Sequence, residues 1–384
     1  MLAVLAPGQG AQTPGLLAPW LDLPDAPARL RWWSGIAGVD LVAAGTMGDP
    51  AAIRDTAVAQ PLLVAAGLLA AEALGALDPV GVVAGHSVGE ITAAALAGAL
   101  TPETAIALSA RRGRAMATAA ARLPTGMCAV LGGDDVLEHL DRLGLTPANV
   151  NGAGQVVAAG TREQLAALAL DPPAHARLRP LAVAGAFHTA HMRTAGSDLA
   201  SVIDGVTVRD PQRRVLSNAD GTVVTSGDEL LRRLVVQVAS PVRWDRCQET
   251  LTGLGVTAVI ELPPAGTLTG LARRVLPGVE TLALRTPGDL DAARALLAAC
   301  APGHEPVPAW RLVVAPESGT FHPIPAVPGA GLAPGQPVGT VRHRTHETAV
   351  VAAHGGVLVE WLADEGDPVS PGQPLARLHP EAFA

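Results

Sequence analysis

From residue 1 to about residue 123, short apolar runs alternate with alanine-rich segments of helical length: 2–6, then 60–74, then 80–84, then 90–100. Strands separated by helix-length segments cannot pair as tight hairpins, so this rhythm calls for a parallel sheet with helices packed against it. At Gly126 the rhythm changes. Apolar runs at 127–131, 148–150, 155–159 and 178–184 enclose only two helical segments, 134–143 and 161–170, which spells β-α-β-β-α-β, the split βαβ of a ferredoxin-like unit. Thr161 and Gln164 supply a capping box for its second helix. The first rhythm resumes through 215–216, 229–238 and 258–262 and stops near Cys300. The expected architecture is an α/β domain made of 1–123 and 187–300, interrupted by a ferredoxin-like subdomain at 124–186.

Past that point lies a different kind of sequence. Residues 301–309 are rich in Pro, too stiff for helix or strand, and read as a linker. Residues 310–384 repeat at a period of 37: Ala315 and Ala352, Gly319 and Gly356, Val338 and Leu375, and a Pro-Gly-Gln-Pro string at 334–337 and again at 371–374. Short β-branched runs punctuated by Pro-Gly turns, given twice, predict two quasi-equivalent halves of one small all-β sandwich.

Composition removes several function classes. All 27 residues of the Lys+Arg total are Arg, so the chain has no Lys, and its net charge is -8. That balance opposes nucleic-acid binding, which depends on clustered positive charge. Cys128, Cys247 and Cys300 are too few for a disulfide framework and read as small buried residues in a reducing compartment. The N-terminal apolar run has no basic flank and stops at Pro7. The most apolar internal stretch, 56–71, contains Gln60 and Pro61 and falls short of the ~20 apolar residues a span needs. No membrane insertion is expected, and the expected location is cytoplasmic.

Gly85-His86-Ser87-Val88-Gly89 follows the apolar run 80–84 and opens the helical segment 90–100. This is the context of a nucleophile elbow, where flanking glycines allow a strained strand-to-helix turn that exposes the Ser hydroxyl. Ser87 needs a base, because an alkyl hydroxyl is barely nucleophilic until a neighbour takes its proton. There are 11 His. His86 points away from an elbow's hydroxyl and reads as a packed neighbour, and His139 and His175 read as surface residues of the small unit. His188 lies where that unit returns to the large one, and His191 follows three residues on; spacing alone leaves the choice between them open.

Further strings then complete a pattern. Gly8-Gln9-Gly10-Ala11-Gln12, the elbow with Glu90, Arg111-Arg112-Gly113-Arg114-Ala115-Met116, Asn151 with Gln155-Val156-Val157, Ala186-Phe187-His188, Ser217-Asn218, Gln237 with Pro241-Val242-Arg243-Trp244, and Glu261-Leu262-Pro263-Pro264 occur in order. Together they resemble the malonyl-CoA:acyl carrier protein transacylase family over about residues 1–300. One departure is Pro263-Pro264-Ala265, where many members have Gly-Pro-Gly. The resemblance implies an α/β-hydrolase-like domain interrupted by a ferredoxin-like subdomain, and a ping-pong transfer of malonyl from malonyl-CoA to the phosphopantetheine thiol of acyl carrier protein, supplying fatty acid synthesis.

Carried over, the resemblance makes Ser87 the nucleophile, His188 its base and acid, and the N–H groups of Gln9 and Val88 the oxyanion hole. Arg112 becomes the clamp for the malonyl carboxylate, a role that suits a planar guanidinium able to form two charge-assisted bonds. Gln237 steadies His188 in place of an acid. Asn151 and Phe187 join the substrate site, where Phe187 and Val88 resemble malonyl-selective members and a ring at 187 would crowd an extra methyl. Arg111, Arg114, Arg273 and Arg274 are candidates to meet CoA phosphates and the acidic carrier, with solvated surface charge as the plain alternative. A serine thioesterase or esterase shares the elbow and is the alternative activity; it would need an Asp or Glu to complete a triad.

Ala315 to Phe321 and Gly366-Asp367-Pro368-Val369 resemble the biotinyl/lipoyl carrier domain, whose hairpin tip bears a Lys that receives the cofactor. The corresponding tip here, residues 342–347, has none. Amide-linked biotin or lipoate therefore has no acceptor in this sequence, which also disfavours a carrier or scaffold role read from the β unit alone, and no permanently bound cofactor is expected. His343, His346 and Glu347 on the tip lack the face-sharing geometry of a helical metal site, so no metal is expected.

Overall fold

The computed structural model describes residues 1–301 and 311–379. The chain divides into two compact units, Met1–Ala301 and Pro302–Ala384. The expected linker, 301–309, lies outside the described residues apart from Ala301.

The first unit begins β1 (Leu2–Ala6), α1 (Ala26–Ala37), α2 (Leu41–Met47), α3 (Thr56–Leu74), β2 (Val80–Gly85), α4 (Gly89–Leu96), α5 (Pro102–Ala120). It continues β3 (Thr125–Leu131), α6 (Val136–Arg142), β4 (Thr146–Gly152), β5 (Gln155–Thr161), α7 (Arg162–Leu170), β6 (Arg177–Pro180). It closes with α8 (Arg193–Ile203), β7 (Arg214–Leu216), β8 (Val223–Val224), α9 (Gly227–Gln237), β9 (Val242–Arg243), α10 (Trp244–Gly253), β10 (Ala258–Glu261), α11 (Thr267–Val275), β11 (Glu280–Ala283) and α12 (Leu290–Ala299). This is a mixed α/β fold. Six strands in the order β11-β10-β1-β2-β7-β8 form its main sheet, with β1, β2, β7, β10 and β11 parallel and β8 antiparallel to β7.

Helix α3 is apolar over most of its surface because most of it lies inside the protein, with Glu72 exposed near its C-terminal end. Asp55 caps it by accepting the Ala57 N–H at 2.9 Å, and Ala and Leu dominate its turns, both strong helix formers. By length and composition it could cross a membrane, with a mean hydropathy of 1.7, yet 78% of that window is buried. It packs on α5 and α4, and its Gln60 meets Arg112 of α5. Helix α4 is shorter than the expected 90–100 because its C-cap, Ala97, leads into Gly98 at φ +78°.

The second sheet has the order β6-β3-β5-β4-β9. Its first four members come from 125–180, and neighbours among them run antiparallel. The fifth, β9, belongs to the returning chain and pairs parallel with β4, so the inserted segment is fastened at its edge as well as at its two ends. Thr161 forms the expected capping box with Gln164. His139 departs from the expected surface position: it is buried, donating Nε2–H to the Asp171 carbonyl at 2.7 Å and accepting from Arg142 at 2.9 Å. Cys128 and Cys247 are buried, whereas Cys300 is only half-buried at the end of α12.

The second unit holds two four-stranded sheets built from β12 (Arg311–Val314), β13 (Gly319–Pro323), β14 (Gly331–Leu332), β15 (Pro337–Arg342), β16 (Glu347–Val351), β17 (Gly356–Trp361), β18 (Pro368–Val369) and β19 (Pro374–His379). The 37-residue repeat recurs in the hydrogen bonds. Gly335 N–H donates to Ala352 O at 2.7 Å, and 37 residues on Gly372 N–H donates to Ala315 O at 2.8 Å. Phe321 N–H donates to Asp367 O and Leu358 N–H to Ala330 O, again one pair shifted by the repeat. Phe321, Val338, Leu358 and Leu375 share one apolar core.

Candidate active site

Ser87 occupies the turn between β2 and α4 in the left-handed region, at φ 55°, which for a residue with a Cβ stores roughly 1–3 kcal/mol of strain. Glycines make the turn possible. A Cβ on Gly85 would lie 1.9 Å from the Gly89 carbonyl carbon, and one on Gly89 would lie 2.2 Å from the Ala6 oxygen. Asn218, after β7, fastens the turn from outside: its Oδ1 accepts the Ser87 N–H at 2.8 Å and its Nδ2 donates to the Gly85 carbonyl at 2.8 Å.

His188 also has a positive φ, 60°, and its Nε2 lies 2.7 Å from Ser87 Oγ. Its Nδ1 lies 2.9 Å from the main-chain oxygen of Gln237. A carbonyl only accepts, so Nδ1 carries the proton and Nε2 presents a lone pair to the Ser87 hydroxyl. Burial and the nearby Arg112 charge push the His188 pKa down to about 3. The imidazole is therefore neutral and free to accept. His191, the other histidine that spacing leaves open, makes no such contact; its N–H donates to Thr189 Oγ1 at 3.2 Å.

Arg112 projects from α5 and is 1% exposed. Its Nη1 donates to Gln60 Oε1 at 2.9 Å, and its Nη2 donates to Gln237 Oε1 at 2.6 Å and to Ser87 Oγ at 3.2 Å. Burial pulls its pKa down to about 10, with Glu90 acting the other way, so it stays charged at neutral pH. Glu90, in the first turn of α4, is buried with its pKa pushed up to about 8.

The remaining expected residues are distributed as follows. Gln237 supports His188 through its main chain, while its side chain faces Arg112. Asn151 Oδ1 bonds His86 Nε2 at 3.0 Å, and His86 leans on Trp244. Phe187 is buried beside His188. Gln9 follows β1, its side chain tied to Thr56 Oγ1 at 3.1 Å, and the Ala6 carbonyl accepts the His86 N–H at 2.9 Å, which draws this loop toward the elbow. Val88 is the N-cap of α4, and helix N-termini leave N–H groups free to donate. Arg111 pairs with Asp198 at 3.8 Å, Arg114 donates to Ala37 O, and Arg273 donates to Thr281. Gln60 was not singled out as a site residue. Its signal is a lone amide in the long apolar run 57–71.

A hydroxyl, a neutral base and a buried guanidinium within hydrogen-bond reach suit acyl transfer from a substrate bearing an acid. Residues 7–284 match the acyl transferase domain family. The malonyl CoA-acyl carrier protein transacylase of Mycobacterium tuberculosis H37Rv is 52% identical over 297 residues, spanning 76% of this chain and 98% of that one. The chain belongs to the malonyl-CoA:acyl carrier protein transacylase family. A crystal structure of the M. tuberculosis transacylase superposes with a TM-score of 0.74 at 51% identity, covering 76% of this chain and 99% of the other. A malonyl-transacylase solved in complex with its type II polyketide acyl-carrier protein gives a TM-score of 0.71 at 30% identity, covering 77% and 99%. Like these transacylases, the chain is an acyltransferase.

Proposed function

We propose that this protein transfers a malonyl group from malonyl-CoA to the phosphopantetheine thiol of an acyl carrier protein through an ester on Ser87, supplying fatty acid synthesis. The observation that carries this reading is the contact of one hydroxyl, Ser87 Oγ, with both His188 Nε2 at 2.7 Å and Arg112 Nη2 at 3.2 Å.

In the first half-reaction, Ser87 Oγ attacks the thioester carbonyl as His188 Nε2 takes its proton. The tetrahedral oxyanion is met by the N–H groups of Val88 and Gln9, donors worth ~3 kcal/mol each to such an intermediate. Collapse breaks the C–S bond, and His188 returns the proton to the CoA sulfur. In the second half, His188 takes the carrier thiol's proton, the sulfur attacks the ester, and Ser87 leaves with that proton. The Gln237 carbonyl, accepting from Nδ1, stabilises the transient imidazolium, so the base works as a dyad without an acid. That contact is why transfer is favoured over the triad esterase reading.

Arg112 holds the malonyl carboxylate, exchanging its bond to Ser87 Oγ for one to the acyl group. Phe187 and Asn151 complete the substrate site, and exposed Arg273 and Arg274 are offered to the acidic carrier. We assign 1–123 and 187–300 to an α/β-hydrolase-like domain and 124–186 to an inserted ferredoxin-like subdomain, supported by the 4-1-3-2 order of β6-β3-β5-β4. Residues 310–384 fit a biotinyl/lipoyl-like fold, supported by the repeated halves. Without Lys it is a docking or stabilising module, not a cofactor carrier. No permanent cofactor is needed by this chemistry, and a cytoplasmic location suits the substrates. The test is transfer from malonyl-CoA to purified holo-acyl carrier protein: wild type forms malonyl-carrier, Ser87→Ala does not.

A further inference from the structure

Glu90 is a buried carboxyl that the reaction as written does not use. It is 2% exposed, and burying a carboxyl is costly unless its oxygens find donors. Oε1 accepts the Asn218 N–H at 2.7 Å, and Oε2 accepts from Gln237 Nε2. These are the two residues that organise the site: Asn218 fastens the Ser87 turn, and Gln237 supports His188 with its main chain and Arg112 with its side chain.

The two ends of the Gln237 amide are not equivalent, since Oε1 only accepts and Nε2 only donates. Arg112 has donors alone, so it requires Oε1. Which end turns toward Arg112 is set by what faces the opposite end. There Nε2 meets three acceptors: Glu90 Oε2, the Ser87 carbonyl at 3.2 Å and Asn218 Oδ1 at 3.3 Å. Of the three, only Glu90 brings a carboxyl.

We propose that Glu90 is a positioning residue for recognition of the acid tail: its Oε2 fixes the Gln237 amide with Oε1 toward Arg112 and so aims the guanidinium beside Ser87. The proposal rests on the malonyl reading above and extends it to a residue that touches neither substrate nor base. Glu90→Gln has nearly the same shape but puts an NH2, which cannot accept, where Glu90 has an oxygen that can accept whether or not the carboxyl is protonated. Its NH2 must face either the Asn218 N–H or Gln237 Nε2, two donors in contact. Relief by rotation of Gln237 would present an NH2 to Arg112 and release the guanidinium.

The test is a double-mutant cycle on the full chain with Glu90→Gln, Gln237→Met and both. Three readouts are taken: kcat/KM for malonyl-CoA and acetyl-CoA, the rate at which an uncharged fluorophosphonate labels Ser87, and the melting temperature. Glu90→Gln is expected to lower the malonyl-to-acetyl ratio by about tenfold or more, mainly through KM for malonyl-CoA, with labelling within about threefold of wild type. Gln237→Met is expected to lower the ratio similarly, and adding Glu90→Gln to it should change the ratio no further. An unchanged ratio in Glu90→Gln with a lowered melting temperature, or effects that multiply in the double variant, overturns the proposal. If Glu90→Gln does not fold, retention of the ratio in Gln237→Met overturns it. Failure of wild type to transfer malonyl would instead sink the reading of the activity.

Discussion

Arg112 Nη2 lies 3.2 Å from Ser87 Oγ, so the cation proposed to hold the substrate's acid tail touches the nucleophile itself in the free protein. An acyl group on Ser87 can keep a carboxylate on that cation only if its chain is short. Arg112→Ala should lower kcat/KM for malonyl-CoA by about 10²- to 10³-fold and that for acetyl-CoA far less, because the acid would then be buried without a partner. Parallel kinetics with both thioesters check this; equal losses would contradict the clamp.

The His188 pKa of about 3 has a consequence for pH dependence. The first cause is burial, the second the Arg112 charge, and a bound malonyl carboxylate would offset the second. The acid limb of kcat/KM, which reports free enzyme, should therefore lie well below 6.5, and that of kcat with malonyl-CoA should lie higher. The shift should be absent with acetyl-CoA. Stability follows the same group. The unfolded chain protonates His188 near 6.5 and the folded one near 3, so this residue's contribution, intact above 6.5, is lost progressively as pH falls through that window. Denaturation curves of wild type and His188→Gln across pH 3–7 check the sign.

Asn218 satisfies two main-chain groups of the elbow, the Ser87 N–H and the Gly85 carbonyl. Asn218→Ala leaves both buried without partners, at about 1–3 kcal/mol each. A stability loss of about 2–6 kcal/mol by denaturant titration is expected, together with slower fluorophosphonate labelling of Ser87.

Much of this was legible in the sequence, and the exceptions have physical causes. The parallel sheet and the interrupting segment show as period and rhythm because their strands and helices bury regular faces. The two-residue strand Val242–Arg243 has no periodicity to read, so the edge pairing that fastens the insertion to the returning chain was invisible. Ser87, His188 and Arg112 stand in the strings on which the family resemblance rests. Gln60 meets Arg112 across 52 residues of sequence, and nothing local marks that meeting. The string gives Gln237 one role, steadying His188, whereas in the structure its main chain meets His188 and its side chain meets Arg112, Glu90, Ser87 and Asn218, because main-chain and side-chain atoms of one residue are not distinguished by a string. His139 looked solvated because its acceptor, the Asp171 carbonyl, lies 32 residues away.

Phe187 is buried next to the base, and the proposed substrate site would set its ring against the branch of a methylmalonyl group. Phe187→Ser should raise methylmalonyl-CoA use relative to malonyl-CoA by about 10- to 100-fold, the range of one methyl's steric penalty. Competition between the two thioesters for one carrier measures the ratio directly.

Each compact unit has its own apolar core, so the full chain should melt in two calorimetric transitions. Phe321→Ala, which removes a fully buried ring from the β unit, should lower one transition by about 3–5 kcal/mol of unit stability and leave the other in place. A single transition shifted as a whole would show the units to unfold together.

The most direct measurement is mass spectrometry of the protein after brief exposure to malonyl-CoA, then again after addition of holo-acyl carrier protein. The account predicts one malonyl ester, on the peptide containing Ser87, that discharges onto the carrier thiol and is absent from Ser87→Ala. An ester at another residue, or one lost to water as fast as to the thiol, would contradict it.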